Sequence, residues 1–338
     1  MKKSDKISYS FKIYDDLGEI MKFIHIGTHL PIWPDLYKYI KCDINHFKAK
    51  LHILLEFGYI AGCVLTFKFK NILYFGYFNV LDNKTEKINL LIDRLIQIGK
   101  NSDCKSIIGP INIPAIIYGW GFLNWSLIDS LTIASPINPL NYPKLFNEKG
   151  FTVRFKDFTW DPTKFFHLNG SSKSRYKFKD YEYINIKDKN EFLNIRQDFI
   201  KLQVENLPQS ARITPDSINV IGNYIDFVFE QGYSSMIFYI KYKPDNKMIA
   251  SGAFLPDIFR REKGKIKSTV VYTWAIDPDH RRKGLSLLMY DVTMSELSRL
   301  GITHYTSRIG SENVSSSKVA KILNGIHTRT HALLEYRL

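Results

Sequence analysis

Apolar and polar residues alternate along the chain in a pattern that occurs twice. Each half contains two adjacent strand patterns, "YIAGCVLTFKF" with "ILYFGYFNVLD" and later "KMIASGAFLPDI" with "KSTVVYTWAIDPD". A helical pattern follows each pair ("TEKINLLIDRLIQIGK" and "LSLLMYDVTMSELSRLG"), and then come a short strand, another helix and a closing strand. The repeat predicts an α/β fold made of two similar domains, each with a mixed central sheet flanked by helices.

The helical period also predicts which residues of the two central helices are buried. The first helix should bury one apolar face, formed by Ile88, Leu91, Ile92, Leu95 and Ile96. In the second helix we expect Leu288, Val292 and Leu300 among the buried positions. Gly301 then provides a C-terminal stop.

The stretch "HLNGSSKSRYKFKDYE" has neither a helical nor a strand period and therefore predicts a domain boundary. We place it near residue 172, which gives domains 1–171 and 172–338. Tyr176, Phe178 and Tyr181 lie among lysines here and would be able to stack on nucleic-acid bases. The preferred interpretation is that they begin a strand whose apolar face packs inward.

Composition narrows the classes of partner. The 338 residues are 45% hydrophobic and 14% aromatic, enough for packed cores rather than disorder. The formal net charge of +14 suits nucleic acid, an anionic membrane, a phosphorylated cofactor or an acidic carrier protein. The cations are scattered, and richness in Lys, Asn and Ile is what AT-rich coding produces, so nucleic acid is not the favoured partner.

The cysteines and the apolar segments indicate the cellular compartment in which the protein is expected. Cys42, Cys63 and Cys104 form no Cys-x-x-Cys pair, and their odd number argues against a disulfide framework. The first residues lack the apolar segment of a signal peptide. The most hydrophobic region is interrupted by Glu56, Lys68 and Lys70, so no membrane-spanning helix is predicted. A cytoplasmic location is the expectation.

A cationic turn marks the start of the second central helix. Arg281, Arg282, Lys283 and Gly284 follow the strand that ends in Asp-Pro-Asp. A helix N-terminus carries unpaired N–H groups and the positive end of the helix dipole, so cations there are unfavourable unless an anion binds among them. The N–H groups from Arg282 through Leu287 would converge on a pyrophosphate, which Gly284 lets approach closely. The alternative is an ordinary tight turn whose cations face water.

This turn carries a resemblance to a known family. "RRKGLS" resembles the Arg/Gln-x-x-Gly-x-Gly/Ala pyrophosphate loop of the GNAT acyltransferase superfamily, and "ENVSSSKVAKILNG" resembles the family's Asn-plus-helix segment. The resemblance covers roughly residues 180–338. Residues 20–160 resemble the N-terminal part of a group of bacterial proteins with two GNAT-like domains. The corresponding turn of that half, "NVLDNKTEK", has no glycine and contains Asp82, which identifies the half as a degenerate copy.

The resemblance implies an N-acyltransferase that uses acetyl-CoA, or another acyl-CoA, and a small-molecule or peptide amine acceptor. The C-terminal domain would hold the acyl-CoA. Its contacts would be backbone groups of the central strand, the cationic turn and the pantetheine-side helix: Trp274, Ile276, Arg281, Arg282, Lys283, Gly284, Leu285, Ser286, Leu287, Asn313 and Ser316. Ser286 stands where the family prefers Gly or Ala.

The resemblance does not supply the catalytic acid. The family's tyrosine after the asparagine corresponds to Ala320 or Lys321 in this chain. Candidate catalytic residues are therefore Tyr272 on the central strand, Tyr305 on the next strand and Glu205 after the domain's first helix. His280, beside the turn, is a phosphate neighbour or a surface residue. No metal-ligand cluster is predicted.

Other functions stay open. Tandem GNAT-like proteins include enzymes that take amino acids from aminoacyl-tRNA, and the positive charge would suit RNA. Those enzymes generally lack a cationic glycine loop. An acyl-carrier protein is another possible donor. The missing tyrosine and the degenerate first half motivate a further hypothesis, a non-catalytic protein that binds CoA or another ligand.

Overall fold

Two compact units make up the chain. The computed structural model describes residues 8–162, 178–206, 214–322 and 324–338. The first unit comprises Met1–Lys156 and Arg329–Leu338, and the second comprises Asp157–Thr328. Each contains a mixed sheet flanked by helices, which confirms the predicted fold class.

The first unit has strands in the order β1-β2-β3-β4-β5-β15, with β6 also paired to β15. All pairs are antiparallel except β4 with β5. Its elements are β1 (Tyr9–Tyr14), α1 (Leu17–Phe23), α2 (Tyr37–Phe47), β2 (Lys50–Glu56), β3 (Tyr59–Phe69), β4 (Ile72–Val80), α3 (Thr85–Lys100), β5 (Ser106–Gly109), α4 (Ala115–Tyr118), β6 (Phe122–Ser126), α5 (Tyr142–Glu148), the start of β7 (Thr152–Pro162) and most of β15 (Gly325–Arg337).

The second unit repeats this plan with the strand order β7-β14-β13-β10-β9-β8. Here β13 and β14 form the parallel pair. The elements are β8 (Tyr181–Asn185), α6 (Lys189–Asn206), α7 (Ser217–Gln231), β9 (Ile237–Tyr242), β10 (Lys247–Pro256), the hairpin strands β11 (Arg261–Glu262) and β12 (Lys265–Ile266), β13 (Ser268–Ile276), α8 (Leu285–Arg299), β14 (His304–Gly310) and α9 (Val314–Ile322). The internal repeat in the sequence is thus a repeat of topology.

The division between the units differs from the predicted one. The predicted boundary at 171/172 lies outside the described residues, and the structural division falls at 156/157. The final residues also belong to the first unit, because β15 pairs with β5 and β6 from Arg329 to Arg337. In the second unit, Asp157–Trp160 of β7 pair with β14. The local pattern of a closing strand predicts that it is a strand, but not which strand it will pair with.

The buried residues of the two central helices, α3 and α8, agree with the prediction in one helix and differ from it in the other. In α3, Ile88, Leu91, Ile92 and Leu95 are fully buried, as predicted, and Ile96 is half-buried. In α8 the prediction was wrong: the buried apolar residues are Leu285, Met289, Tyr290, Met294 and Leu297, whereas Leu288, Val292 and Leu300 are half-buried. The helix carries apolar residues on all sides, so side-chain periodicity does not predict a single buried face. Packing against the neighbouring elements determines which of its residues are buried.

Candidate functional site

The parallel strands of the second unit separate halfway along their length. Pairing between β13 and β14 covers Ser268–Val271 opposite His304–Ser307. Beyond this point β13 pairs with β10, and β14 pairs with β7. Tyr272 and Arg308 are therefore the first residues on either side of a V-shaped opening between the strands. Such an opening exposes backbone hydrogen-bonding groups that a ligand can use.

Backbone alternation shows which residues of β13 face this opening. The N–H of Asp277 donates to the carbonyl of Ile249 on β10, at 2.8 Å. Because the hydrogen-bonding direction alternates along a strand, the N–H and C=O groups of Ile276 and Trp274 point away from β10, into the opening. These are the two residues expected to bond to a pantetheine arm. The Ile276 carbonyl already accepts a hydrogen bond from Arg281 Nε, at 3.0 Å.

A β-bulge lies at the point where the strands separate. Thr273 pairs with Ala253 and Val271 pairs with Phe254, so Tyr272 is the extra residue on β13. A bulge re-aims the side chain it carries. The half-buried Tyr272 ring lies near the ring of Tyr224 on α7, with centroids 6.3 Å apart. Burial raises the pKa of the Tyr272 phenol, which stays protonated at neutral pH.

A buried polar network fixes α6 against this bulge. Gln203 Nε2 donates to Ser251 Oγ on β10, at 2.6 Å, and Gln203 Oε1 accepts from Thr273 Oγ1 on β13. All three side chains are buried. A buried polar group without its partner is costly, so the network ties helix and strands together at one place. Its members lie far apart along the chain, so no local sequence pattern predicts it.

The cationic turn connects the opening to α8. Arg282 and Gly284 both adopt left-handed backbone conformations, with φ of 62° and 80°. The side chains of Arg281, Arg282 and Lys283 are exposed. Within the described residues, the N–H groups from Arg282 through Ser286 have no acceptor. Unpaired amides and three cations at a helix N-terminus form an arrangement that suits an anion.

His280 is not the surface residue that was one of its two expected roles; the other role, a phosphate neighbour, stays a prediction. It is buried, its Nδ1 lies 3.2 Å from the Tyr181 hydroxyl, and its ring packs on Tyr242 with centroids 4.8 Å apart. Burial, and the nearby positive charge of Lys283, lower its pKa. His280 therefore holds the base of the turn against β8 and β9.

Asn313 caps α9. Its side-chain oxygen accepts from the N–H of Ser316, at 3.1 Å, an arrangement typical of a helix N-cap. Within the described part of the chain its amide nitrogen makes no hydrogen bond, which leaves two donors for a ligand. Ala320, at the position of the expected tyrosine, is buried against Trp160 and Ile309.

The two remaining catalytic candidates lie in different surroundings. Tyr305 is opposite Thr269, three residues before the start of the opening, and its buried hydroxyl lies 3.0 Å from the Tyr290 hydroxyl. Burial raises its pKa. Tyr305 is thus a packed aromatic rather than a residue of the opening. Glu205 is exposed on the last turn of α6, between Gln203 and Asn206.

The equivalent opening in the first unit is filled by the chain itself. Pairing of β4 with β5 stops at Tyr74 and Ile108. Beyond that point the N–H of Ile111 donates to Phe75 O, at 2.7 Å, and Asn112 Oδ1 accepts from the N–H of Tyr77, at 2.6 Å. The approach is so close that a Cβ on Gly76 would clash with Ile111 O. The stretch "IIGPINIPAIIYGWGFL", which contains Ile111 and Asn112, contributes to the family resemblance of the first half, but its pattern does not predict that it fills the opening.

The turn before α3 is also closed. Residues 81–84 separate β4 from α3, compared with residues 277–284 before α8. Lys87 is buried between Asp82 and Glu56, with Nζ–oxygen distances of 2.6 and 2.7 Å. Asp82 and Glu56 raise the Lys87 pKa. A carboxylate therefore occupies the region where the other unit offers its unpaired amides.

Membrane-spanning helices and metal-ligand clusters are two further kinds of functional feature. The described helices include none long and apolar enough to cross a membrane. Within residues 8–162, 178–206, 214–322 and 324–338, no group of three His, Cys, Asp or Glu side chains is placed to hold a metal ion.

Comparison with known proteins shows similarity in structure. No protein-family model and no curated protein matches the sequence. A GCN5-related glucosamine N-acetyltransferase region of a fungal multi-domain GH3 β-N-acetylglucosaminidase has a TM-score of 0.62 at 15% identity, covering 98% of this chain. This chain spans 38% of that protein's length.

Two other structures support the same fold. A tandem GNAT protein from the clavulanic acid biosynthesis pathway has a TM-score of 0.56 at 8% identity, covering 98% of both chains. A GCN5-related N-acetyltransferase from Sphaerobacter thermophilus has a TM-score of 0.53 at 8% identity, covering 85% of this chain and 80% of its own. The chain therefore has the tandem GNAT fold.

Proposed function

We propose that this chain is an acyl-CoA-dependent N-acyltransferase, with acetyl-CoA the expected donor and the unit Asp157–Thr328 holding it. One observation carries the proposal: the opening between β13 and β14 leads directly to a turn of three exposed cations and unpaired backbone amides. This combination offers strand edges to an extended amide-containing arm and a helix N-terminus to a pyrophosphate.

Each part of the site has a role in this proposal. Trp274 and Ile276 bind the pantetheine arm through their backbone groups, and Asn313 donates to it from its side-chain amide. The amides from Arg282 through Ser286, with the turn's cations, bind the pyrophosphate, whereas the N–H of Leu287, expected to join them, already donates to Gly284 O, at 3.0 Å. Gly284 gives the backbone the left-handed conformation that begins the helix.

The proposed acyl transfer uses groups near the bulge of β13, where the two strands separate. The bound thioester supplies the acyl group to a neutral amine. A backbone N–H on the open edge of β13, near the bulge, stabilises the negative charge that develops on the carbonyl oxygen. Tyr272 is the phenol at this position, and we assign it to proton transfer to the leaving thiolate or to acceptor positioning. Glu205, the exposed carboxylate on the last turn of α6, is the candidate base for the amine proton.

A second candidate function is CoA binding without acyl transfer. Ala320 packs in the core where the resemblance would place a tyrosine acid, so the site would bind the ligand but lack this catalytic group. The first unit, whose opening is filled by Ile111 and Asn112, is proposed to hold no acyl-CoA in either case.

Thermal unfolding with CoA, acetyl-CoA and a longer acyl-CoA tests the proposal. Ligand at about a hundred times its Kd stabilises the binding unit by about 2.7 kcal/mol. For a unit of this size the shift is about 5–10 °C. Gly284→Glu should abolish the shift, because it places a carboxylate and a Cβ at the turn.

Gly264→Glu is the matched control, because Gly264 also has a positive φ, of 77°, but lies in the exposed β11–β12 turn. If Gly284→Glu still shows the shift in melting temperature, the ligand binds at a place other than this turn. No shift with any of the three ligands would refute the proposal. Release of free thiol from acetyl-CoA in the presence of candidate amines then separates a transferase from a binding protein.

A further inference from the structure

The last turn of α6 contacts both ends of the candidate site. Gln203 bonds to Ser251 and Thr273 beside the bulge, and Asn206 bonds to Arg281 in the cationic turn. Residues three apart on a helix lie on the same face. One helical turn therefore reaches the point where the strands separate and also the turn that follows β13.

The contact with the turn is a chain of three hydrogen bonds. Asn206 Nδ2 donates to the carbonyl of Leu202, at 3.0 Å, which orients the side-chain amide. Asn206 Oδ1 then accepts from Arg281 Nη2, at 3.2 Å. Arg281 Nε donates in turn to Ile276 O at the end of β13, at 3.0 Å. The guanidinium is thus held between the helix and the strand.

The neighbouring backbone needs such a support. Arg282, directly after Arg281, has a φ of 62°, a conformation that disfavours a residue with a Cβ. Strain of this kind persists only where the surrounding structure enforces it. The bonds of the Arg281 side chain to α6 and to β13 fix the residue that enters the strained position. Two of its five N–H donors serve this purpose, so the other three remain for an anion.

We propose that Asn206 is a positioning residue for the cationic turn. It acts through Arg281: it sets the guanidinium against Ile276 O and thereby keeps the amides from Arg282 through Ser286 aligned on one point. The ligand at that point rests on the proposed function, whereas the support of the turn by Asn206 can be measured without any ligand.

The ligand-free test is amide hydrogen exchange. In Asn206→Ala, the protected amides flanking the strained residue, those of Arg281, Leu287 and Leu288, should exchange several-fold faster than in the wild type. Asn194→Ala is the matched control, because Asn194 is exposed on the same helix. It should leave all three rates unchanged. Equal rates in Asn206→Ala and Asn194→Ala would overturn the proposal, whether or not CoA binds.

The binding test uses CoA and isothermal titration calorimetry. Asn206→Ala should weaken CoA binding about fivefold, as expected for a lost hydrogen bond to a charged group in a partly exposed place. Arg281→Ala should weaken it more, and the double variant should match Arg281→Ala alone, because among the described residues the side chain of Asn206 reaches the turn through Arg281. Losses that multiply in the double variant would contradict the proposal.

A conservative variant identifies which bond matters. Asn206→Asp keeps the acceptor for Arg281 and loses the donor to Leu202, so in the absence of ligand the exchange rates of the three amides should stay near those of the wild type. If Asn206→Asp behaves like Asn206→Ala, the residue acts through the helix end and the proposal is wrong. A wild type that does not bind CoA, combined with faster exchange in Asn206→Ala, would refute the proposed function and leave the positioning role intact.

Discussion

Removing residues 329–338 should unfold the first unit and leave the second unit folded. In the structure these residues form the part of β15 that pairs with β5 and β6. The sequence-based boundary assigns them instead to the second domain. The two assignments therefore predict opposite outcomes for one deletion.

The magnitude follows from what this strand buries. Leu333 and Leu334 are each 2% exposed, and burying a leucine side chain contributes about 1.5–3 kcal/mol. Arg329 also bonds to Ser135 Oγ, at 3.2 Å, and the His331 ring lies 2.9 Å from Pro136 O, so the deletion leaves buried polar groups unpaired. The loss is about 5 kcal/mol or more, comparable with the whole stability of a domain, which is about 5–15 kcal/mol.

Limited proteolysis with mass spectrometry measures the outcome. A chain ending at Thr328 should be cleaved within residues 37–156 and protected within residues 178–206 and 214–322. A chain ending at Arg337 is the control, because it loses only Leu338, which is 40% exposed. Protection of residues 37–156 in the shorter chain, with cleavage in the second unit, would refute the structural assignment.

Two further predictions concern buried charges. Burial raises the pKa of Asp43 to about 7, so the folded protein keeps a proton that the unfolded chain releases, and stability should fall as pH rises from about 4 to about 7. Asp43→Asn removes the loss of stability that occurs when Asp43 ionises, at most about 4 kcal/mol. In urea denaturation the variant should be more stable than the wild type at pH 8 and equally stable at pH 4. Asp129→Asn, at an exposed position, is the control and should show neither result. Asp157 and Arg308 form a buried ion pair, so Asp157→Leu or Arg308→Met alone should cost about 3–5 kcal/mol, and the double variant should recover much of the loss in the same assay. Double-variant stability no better than that of the single variants would show that the pair does not act as a unit.

Local pattern predicted the elements well, and the reason is physical. The faces of α3 and the strand patterns of β13 and β14 follow from side-chain periodicity alone, and the structure has them at those places. The cationic turn could be predicted because its residues are adjacent in the sequence. Whether Trp274, Ile276 and the turn bind an acyl-CoA stays a prediction.

Features that depend on distant partners could not be predicted in this way. The pairing of β15, the Gln203 network and the contact of Asn206 with Arg281 all join residues far apart in sequence. Asn313 shows a different limit: an asparagine before a helix is favoured as an N-cap and as a ligand contact, and one amide can serve both purposes. Sequence pattern alone does not separate these roles.

The filled opening of the first unit has a consequence for how many ligands one chain can take up. Asn112, which fills the opening between β4 and β5, belongs to the same chain, so its effective concentration at that opening is about millimolar or higher. A donor present at micromolar concentration competes poorly with such a group. If the second unit binds acyl-CoA as proposed, saturation should therefore correspond to one acyl-CoA per polypeptide, although the chain carries the same fold twice, and binding curves should show a single class of site.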